Sequence, residues 1–136
     1  MDVAFAQIAD ACMSWVVDDD PSIKDLCAPE FRDNVSGLGV NAFDIVGGWF
    51  AASFSERSIE HHTTMTDGAR LIIWFTFHGV HVGNGFPRMV DLKVDGAPVV
   101  WPQVHILRVE SGKVHEHWAV RDDLAMLEST QRPRAD

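Results

Sequence analysis

The sequence predicts a single α+β domain, with helices first and a curved, mostly antiparallel sheet after them. Apolar residues recur at helical spacing in the first third of the chain, and from Ser58 onward the pattern is that of extended strands. Helices followed by meandering strands favour the α+β class. A length of 136 residues suffices for one domain and leaves little room for a second.

The composition excludes several classes of function. Hydrophobic residues make up 46% of the chain, enough to bury a core, while the formal net charge is −9 and no Lys/Arg cluster occurs. This balance disfavours binding to nucleic acid and to anionic membrane surfaces. The first 15 residues have no basic start, and no apolar run reaches the length of a membrane span. We therefore expect a cytoplasmic protein.

The two cysteines do not indicate a metal site. Cys12 and Cys27 form neither a CxxC pair nor a ligand spacing typical of zinc. Cys12 lies on the apolar stripe of the first helix, where a small buried hydrophobic side chain is the simpler interpretation.

Two main helices are predicted. The first is capped by Asp2, and it ends near Pro21 because proline restricts the residue before it. The second covers roughly 41–54 and contains Gly47 and Gly48, each of which costs about 1 kcal/mol relative to Ala in a helix interior. We expect these glycines to allow close approach of another backbone.

The strands are predicted from apolar runs bounded by turn signals. They cover 59–65, 70–81, 89–94, 99–109 and 113–122. A short helix over 123–127 closes a domain of residues 1–128, and 129–136 are expected to be a disordered tail. The run Leu71 to Phe75 is apolar on both faces, which is typical of a central strand covered on both sides. We expect helices on one side and a second subunit on the other, forming a homodimer through the sheet.

The final hairpin gives the most informative prediction. If Ser111 and Gly112 form a two-residue turn, Glu110 pairs with Lys113, and period-two alternation fixes the rest of the register. One face of the sheet then carries Trp101, Gln103, His105, Leu107, Val109, Val114, Glu116, Trp118, Val120 and Asp122.

Polar groups on this apolar face predict a ligand pocket. Gln103, His105, Glu116 and Asp122 would each cost free energy if they were buried without partners. Apolar walls with a few convergent polar groups are typical of small-molecule sites. A carboxylate in such surroundings has a raised pKa, which suits general acid/base catalysis. A satisfied structural network, with Asp122 on a backbone amide and His105 on Glu116, is the alternative.

His115 and His117 share a strand face at a spacing that zinc sites use. No third ligand stands in a fixed relation to them. We therefore expect them on a solvated or interface face and predict no metal site.

Two segments carry recognisable motifs: residues 79–83, GVHVG, and residues 107–118, LRVESGKVHEHW. They resemble the GTHxG segment and the fRvxdGKIxEhW block of the SnoaL-like polyketide cyclases, in the nuclear transport factor two-like superfamily. Asp122 matches the aspartate that follows this tryptophan, and residues 28–31, APEF, resemble the early aPdF.

This resemblance implies a cone-shaped α+β barrel whose sheet wraps a deep pocket, usually in a homo-oligomer. It also implies cofactor-free ring closure by intramolecular aldol condensation, with Asp122 as the acid/base group. Two departures concern the pocket mouth: residues 84–88, NGFPR, replace a GxPPTG tract, and Asn34 stands where the family often has a histidine. The identity of the substrate therefore cannot be inferred from the resemblance to the cyclases.

Two functional hypotheses follow. In the first, Asp122 removes a proton next to a carbonyl of an apolar, polyketide-like or cyclic substrate, and His105 or Gln103 stabilises the enolate oxygen. Ring closure, isomerisation and dehydration share this step. The expected substrate contacts are Gln103, Trp101, Trp118, Glu116, His81 and Asn34. A structural hydrogen bond is the alternative for His81. The second hypothesis is a non-catalytic small-molecule-binding or assembly domain on the same scaffold.

Overall fold

Helices cover one face of a five-stranded sheet in the computed structural model, which describes residues 1–131. The helices are α1 (Val3–Asp18), α2 (Ser22–Asp25), α3 (Ala42–Ser53) and α4 (Asp123–Gln131). The strands are β1 (Cys27–Asp33), β2 (Phe54–Asp67), β3 (Arg70–His81), β4 (Pro98–Glu110) and β5 (Lys113–Arg121). The predicted α+β class and the cone fold with its curved, mostly antiparallel sheet are confirmed.

The sheet order is β1-β5-β4-β3-β2, so four strands form an antiparallel meander and β1 is added at its edge. β1 runs parallel to β5, and its last residue, Asp33, is in register with His117. A residue from the N-terminal part of the chain is thereby brought beside the last strand.

β3 has the predicted bounds and forms the centre of the core. Leu71, Ile73, Phe75 and Phe77 are all fully buried against the helices. On the other face Trp74 is 46% exposed. The helices therefore cover one face of this strand, as expected, while its second face is open in the single chain.

The predicted strand over 89–94 is wrong. This segment instead holds a short 3-10 helix, Pro87–Met89, followed by turns. Met89 is the one fully buried residue of this segment, so burial does not alternate with the period of two that a strand requires. His81 and Asn84 fasten the loop, because the two side chains are hydrogen bonded at 2.8 Å and Asn84 also donates to the carbonyl of Leu92.

The last helix continues past the predicted end of the domain. Residues 129–131 belong to α4, where Thr130 is buried and Ser129 Oγ accepts a hydrogen bond from the Val100 N–H at 3.0 Å. Contacts with β4 therefore extend the helix beyond the local sequence signal. The rest of the predicted tail, 132–136, lies outside the described residues.

None of the helices described combines the length and the hydrophobicity that crossing a bilayer requires.

The two glycines of α3 have different surroundings. A Cβ on Gly47 would lie 3.2 Å from Trp15 Nε1, whereas a Cβ on Gly48 would meet nothing within 4 Å. Trp15 Nε1 donates a buried hydrogen bond to the Phe43 carbonyl at 3.0 Å. The expected approach of another backbone is wrong: an indole ring packs on Gly47, and Gly48 has no packing role.

Gly48→Ala is expected to raise the free energy of unfolding by about 0.5–1 kcal/mol, because alanine favours the helix and meets no obstacle. Gly47→Ala is the matched control, since the same helix gain is offset by crowding at Trp15. Urea denaturation of both variants measures the difference, and equal stabilisation by the two would contradict this account.

Exposed apolar residues on the open sheet face are consistent with the predicted homodimer, which stays a prediction. Trp74, Val100 and Val120 are 46%, 40% and 66% exposed on strands at the middle of the sheet. We expect sedimentation to show a dimer at micromolar concentration and Trp74→Glu to shift it toward monomer by placing a charge in the interface. Val3→Glu, at an exposed position on α1, should leave the dimer intact. A monomeric wild type would contradict the prediction.

Candidate active site

A cavity of about 620 Å³ lies between the sheet and the helices. Its walls are mainly aromatic and include Trp15, Phe43, Trp49, Phe86 and Trp101. A few polar residues also line it, among them Asp33, His117, Arg121 and Asp123. Both the volume and this division into apolar walls and a few polar groups are typical of small-molecule sites.

A β-bulge in the final hairpin decides which side chains reach the cavity. The predicted turn is confirmed: Glu110 pairs with Lys113, and Ser111 and Gly112 have φ values of 51° and 74°. The register then shifts by one residue: Val109 pairs with Val114, but Arg108 pairs with Glu116, and His115 between them has no partner on β4. His115 is the extra residue, and a one-residue shift moves every later side chain of β5 to the opposite face.

The shift places His117, Ala119 and Arg121 on the cavity wall. The pocket positions predicted for Glu116 and Trp118 are therefore wrong. Glu116 instead forms an ion pair with Arg108 at 3.0 Å. His117, which was expected on a solvated or interface face, is buried.

Asp122 also lies away from the cavity lining, contrary to its predicted position. Its side chain is exposed and accepts the Ala125 N–H at 3.0 Å, so it caps the start of α4. The acid/base role expected of Asp122 had two grounds, the uninterrupted register and the family resemblance, and the structure removes the first of them.

On β4 the inward positions are as predicted. Trp101 lines the cavity, while Gln103 and His105 are 1% and 0% exposed and lie behind its wall. The extra residue lies on β5, so the alternation of side chains along β4 is unaffected.

The last two expected contacts, His81 and Asn34, do not line the cavity. His81 is buried and anchors the loop after β3. Asn34 is exposed, and its backbone N–H donates to the His117 carbonyl at 2.9 Å. The neighbouring residue, Asp33, is the one that faces inward.

Five side chains form one continuous line of hydrogen bonds, which we call the polar chain. Asp33 Oδ1 lies 2.9 Å from His117 Nδ1, and His117 Nε2 lies 2.8 Å from His105 Nδ1. His105 Nε2 is 2.8 Å from Gln103 Oε1, and Arg121 Nε donates to the same oxygen at 3.2 Å. The cavity therefore ends on a connected set of charged and polar groups.

The donors of the polar chain determine its protonation. Arg121 can only donate, so Gln103 presents its oxygen, and His105 must also donate to that oxygen from Nε2. His105 Nδ1 then accepts, which requires His117 to donate from Nε2 as well as from Nδ1 to Asp33. In this arrangement His117 is an imidazolium and His105 is neutral.

Burial and hydrogen bonding shift the pKa of Asp33 in opposite directions. Burial alone would raise its pKa, but hydrogen bonds from His117 and Ser36, the positive charge of His117 and the Val35 N–H together lower the pKa to about 2. The carboxylate therefore stays ionised and compensates the charge of His117.

The other end of the polar chain carries a second cation. Burial lowers the pKa of His105 well below its usual value, and the nearby charges of His117 and Arg121 act in the same direction. Burial also lowers the pKa of Arg121, although a guanidinium remains charged. With Asp33 offset by His117, this end of the cavity has a net positive charge from Arg121.

Neither cysteine is suited to nucleophilic catalysis. Burial raises the pKa of both Cys12 and Cys27 to about 12, so the reactive thiolate is suppressed. Within residues 1–131 no group of three or more His, Cys, Asp or Glu side chains could hold a metal ion.

Sequence reasoning missed Asp33, His117 and Arg121. An uninterrupted strand was assumed, and nothing in the local pattern of β5 marks His115 as an extra residue. The spacing of His115 and His117 was the one local feature noted there, and it was interpreted as a solvated or interface face.

Comparisons with known proteins agree with this architecture. A family model for SnoaL-like polyketide cyclases matches residues 7–130, so the chain belongs to that family. A search of curated proteins by sequence finds no match.

Among the solved structures of similar fold, three come from Streptomyces species. TsrD from Streptomyces laurentii has a TM-score of 0.79 at 20% identity, covering 97% of this chain and 98% of that one. IdmH from Streptomyces antibioticus, proposed to be a polyketide cyclase, has a TM-score of 0.73 at 16% identity over 92% and 96% of the two chains. AclR from Streptomyces galilaeus, proposed to be a hydroxylase, has a TM-score of 0.73 at 21% identity over 97% and 85%. At these identities the similarity shows the fold.

The lowered pKa of Asp33 predicts a specific acid sensitivity. A carboxyl group whose folded pKa lies below its unfolded value stabilises the fold above the unfolded value, about 3.8, and loses that contribution as the pH falls toward 2. Asp33→Asn should therefore flatten the loss of stability between pH 4.5 and pH 2.5, measured as the urea midpoint. Asp10→Asn, at an exposed position on α1, should keep the wild-type slope. Equal slopes for all three proteins would contradict the assignment.

Proposed function

We propose that the protein is a cofactor-free acid/base enzyme that acts on an apolar, polyketide-like or cyclic substrate containing carbonyl groups. The observation that carries this proposal is the polar chain from Asp33 to Arg121 at the end of an aromatic cavity. Membership of the SnoaL-like polyketide cyclase family supports it.

His117 is the proposed proton-transfer group. Imidazole is the side chain most often used for this purpose, and His117 lines the cavity. Both of its ring nitrogens are hydrogen bonded, so a substrate has to displace or share one partner. Asp33 is the partner that also lines the cavity, which makes Nδ1 the accessible position. Asp33 orients the ring and stabilises its charged form.

Arg121 is the proposed stabiliser of negative charge on the substrate oxygen. When a proton leaves the carbon next to a carbonyl, charge develops on that oxygen, and a fixed cation in a cavity of low polarity stabilises it strongly. Gln103 holds Arg121 through Nε, and His105 holds Gln103. These two residues therefore act as positioning residues behind the wall.

The proposed reaction balances without a cofactor. The His117 imidazolium first releases its Nδ1 proton to water, and the neutral ring then accepts the proton from the carbon. The enolate attacks a second carbonyl to form the new carbon–carbon bond. The resulting alkoxide takes the proton back from the His117 imidazolium. Isomerisation differs only in returning the proton to another carbon, and dehydration differs in expelling the hydroxyl group as water.

The aromatic walls supply the orientation that such a reaction needs. Trp15, Trp49 and Trp101 lie around the cavity and present flat surfaces to an apolar substrate. Holding the two reacting carbons near each other removes much of the entropic cost of ring closure. The descriptions of IdmH and AclR differ although the folds are similar, so the reaction has to be argued from the polar chain.

Hydrogen–deuterium exchange tests the first step. We expect the wild type to accelerate deuteration of the methyl group of 2-acetylnaphthalene in D₂O, followed by mass spectrometry. His117→Gln should slow this exchange by about a hundredfold or more, because it removes the acid/base group. Asp122→Asn is the matched control and should exchange at the wild-type rate, since that side chain caps α4 outside the cavity.

Three results would contradict the proposal. The first is a folded His117→Gln variant that exchanges at the wild-type rate. The second is an Asp122→Asn variant that loses exchange as severely as His117→Gln. The third is a wild type that binds the ketone, seen by quenching of cavity tryptophans, without accelerating exchange. That last result would favour the non-catalytic small-molecule-binding domain.

A further inference from the structure

Arg121 has unused hydrogen-bonding capacity inside the cavity. Its Nε donates to Gln103, but within residues 1–131 neither Nη1 nor Nη2 has a hydrogen-bond partner, and no carboxylate lies within ion-pair distance. A guanidinium carries five N–H donors in a fixed plane. Four of them are thus free to bind a ligand.

The carboxylates that line the cavity are already engaged. Asp33 accepts hydrogen bonds on both oxygens, from His117 and Val35 on Oδ1 and from Ser36 on Oδ2. Asp123 accepts the Trp101 indole N–H on Oδ1 and pairs with Arg88 through Oδ2 at 3.0 Å. Both negative charges act on Arg121 and raise its pKa, but neither carboxylate lies within ion-pair distance of the guanidinium.

The surroundings make the unpaired charge costly. The Arg121 Cζ atom lies 5.8 Å from the Trp101 ring and 5.9 Å from the Phe50 ring. Ring faces compensate a cation only in part, and burial lowers the pKa of Arg121 more than the charges of Asp33 and Asp123 raise it. An anionic ligand group would recover this cost, so the local charge balance favours binding of an anion.

The geometry of a guanidinium restricts the kind of anionic group that can bind. Its parallel N–H groups match two coplanar oxygens, as in a carboxylate or in the enolate of a 1,3-dicarbonyl compound. The aromatic walls match a flat apolar body attached to those oxygens.

We infer that the cavity selects planar apolar molecules that carry one anionic pair of oxygens, and that Arg121 is the residue that recognises this pair. The inference rests on the proposed function, because it names the substrate class of the same site. A carboxylate and an enolised 1,3-dicarbonyl share the required chemistry.

Equilibrium binding tests the inference with shape-matched probes. Quenching of the cavity tryptophans is titrated at pH 7.5 with 2-naphthoate, with its neutral counterpart 2-naphthamide, and with the enolate of 2-acetyl-1,3-indanedione. We expect at least one of the two anions to bind tenfold or more tightly than the amide. A preference for 2-naphthoate alone identifies a carboxylate ligand, and a preference for the indanedione alone identifies a dicarbonyl enolate.

Variants separate recognition by Arg121 from general electrostatic attraction. Arg121→Gln should abolish the preference for the anion while 2-naphthamide still binds. Arg121→Lys keeps the charge without the planar fork and should retain part of the preference, which gives a second variant if the glutamine protein does not fold. Arg70→Gln is the matched control, because Arg70 is exposed and does not line the cavity, so the loss of one positive charge there should leave the preference unchanged.

Equal binding of anions and amide by the wild type would overturn the inference, and so would a preference that survives in folded Arg121→Gln. These measurements need no turnover. A protein that prefers the anion without exchanging protons would therefore contradict the proposed function alone, and rapid exchange without anion preference would contradict this inference alone.

Discussion

One extra residue in the last hairpin is the constraint on which the candidate site depends. Because side chains alternate across a strand, the bulge at His115 turns His117 and Arg121 inward and leaves Glu116 and Trp118 outside. Without it, the sheet would present a glutamate and an indole to the cavity. A backbone irregularity, rather than a change of residue type, thus sets the chemistry of the wall.

The parallel pairing of β1 with β5 completes what the bulge begins. It brings Asp33 into register with His117, and the carboxylate compensates an imidazolium that would otherwise be costly to bury. His105 and Gln103 extend the hydrogen bonds to Arg121 without themselves lining the cavity. Charge is therefore balanced at one end of the polar chain and left in excess at the other, where a ligand can meet it.

The fold was largely predictable because its signals are local and repeated. Helical spacing after Asp2 predicted α1, the run from Leu71 to Phe75 predicted the central strand, and Ser111 with Gly112 predicted the final turn. The site was predictable only up to the bulge: Trp101, Gln103 and His105 face inward as expected. For the residues of β5 after the bulge, simple alternation predicted the wrong face of the sheet.

The sequence alone determined the class of domain, the family it resembles, and an apolar pocket with polar groups along β4, since periodicity and turn residues act through near neighbours. Only the tertiary structure decided that Asp33, His117 and Arg121 meet at the end of that pocket and that Asp122 caps a helix. These outcomes depend on strand pairing between distant segments and on one unpaired residue. Such features are set by the packing of the whole sheet and leave no periodic trace in the chain.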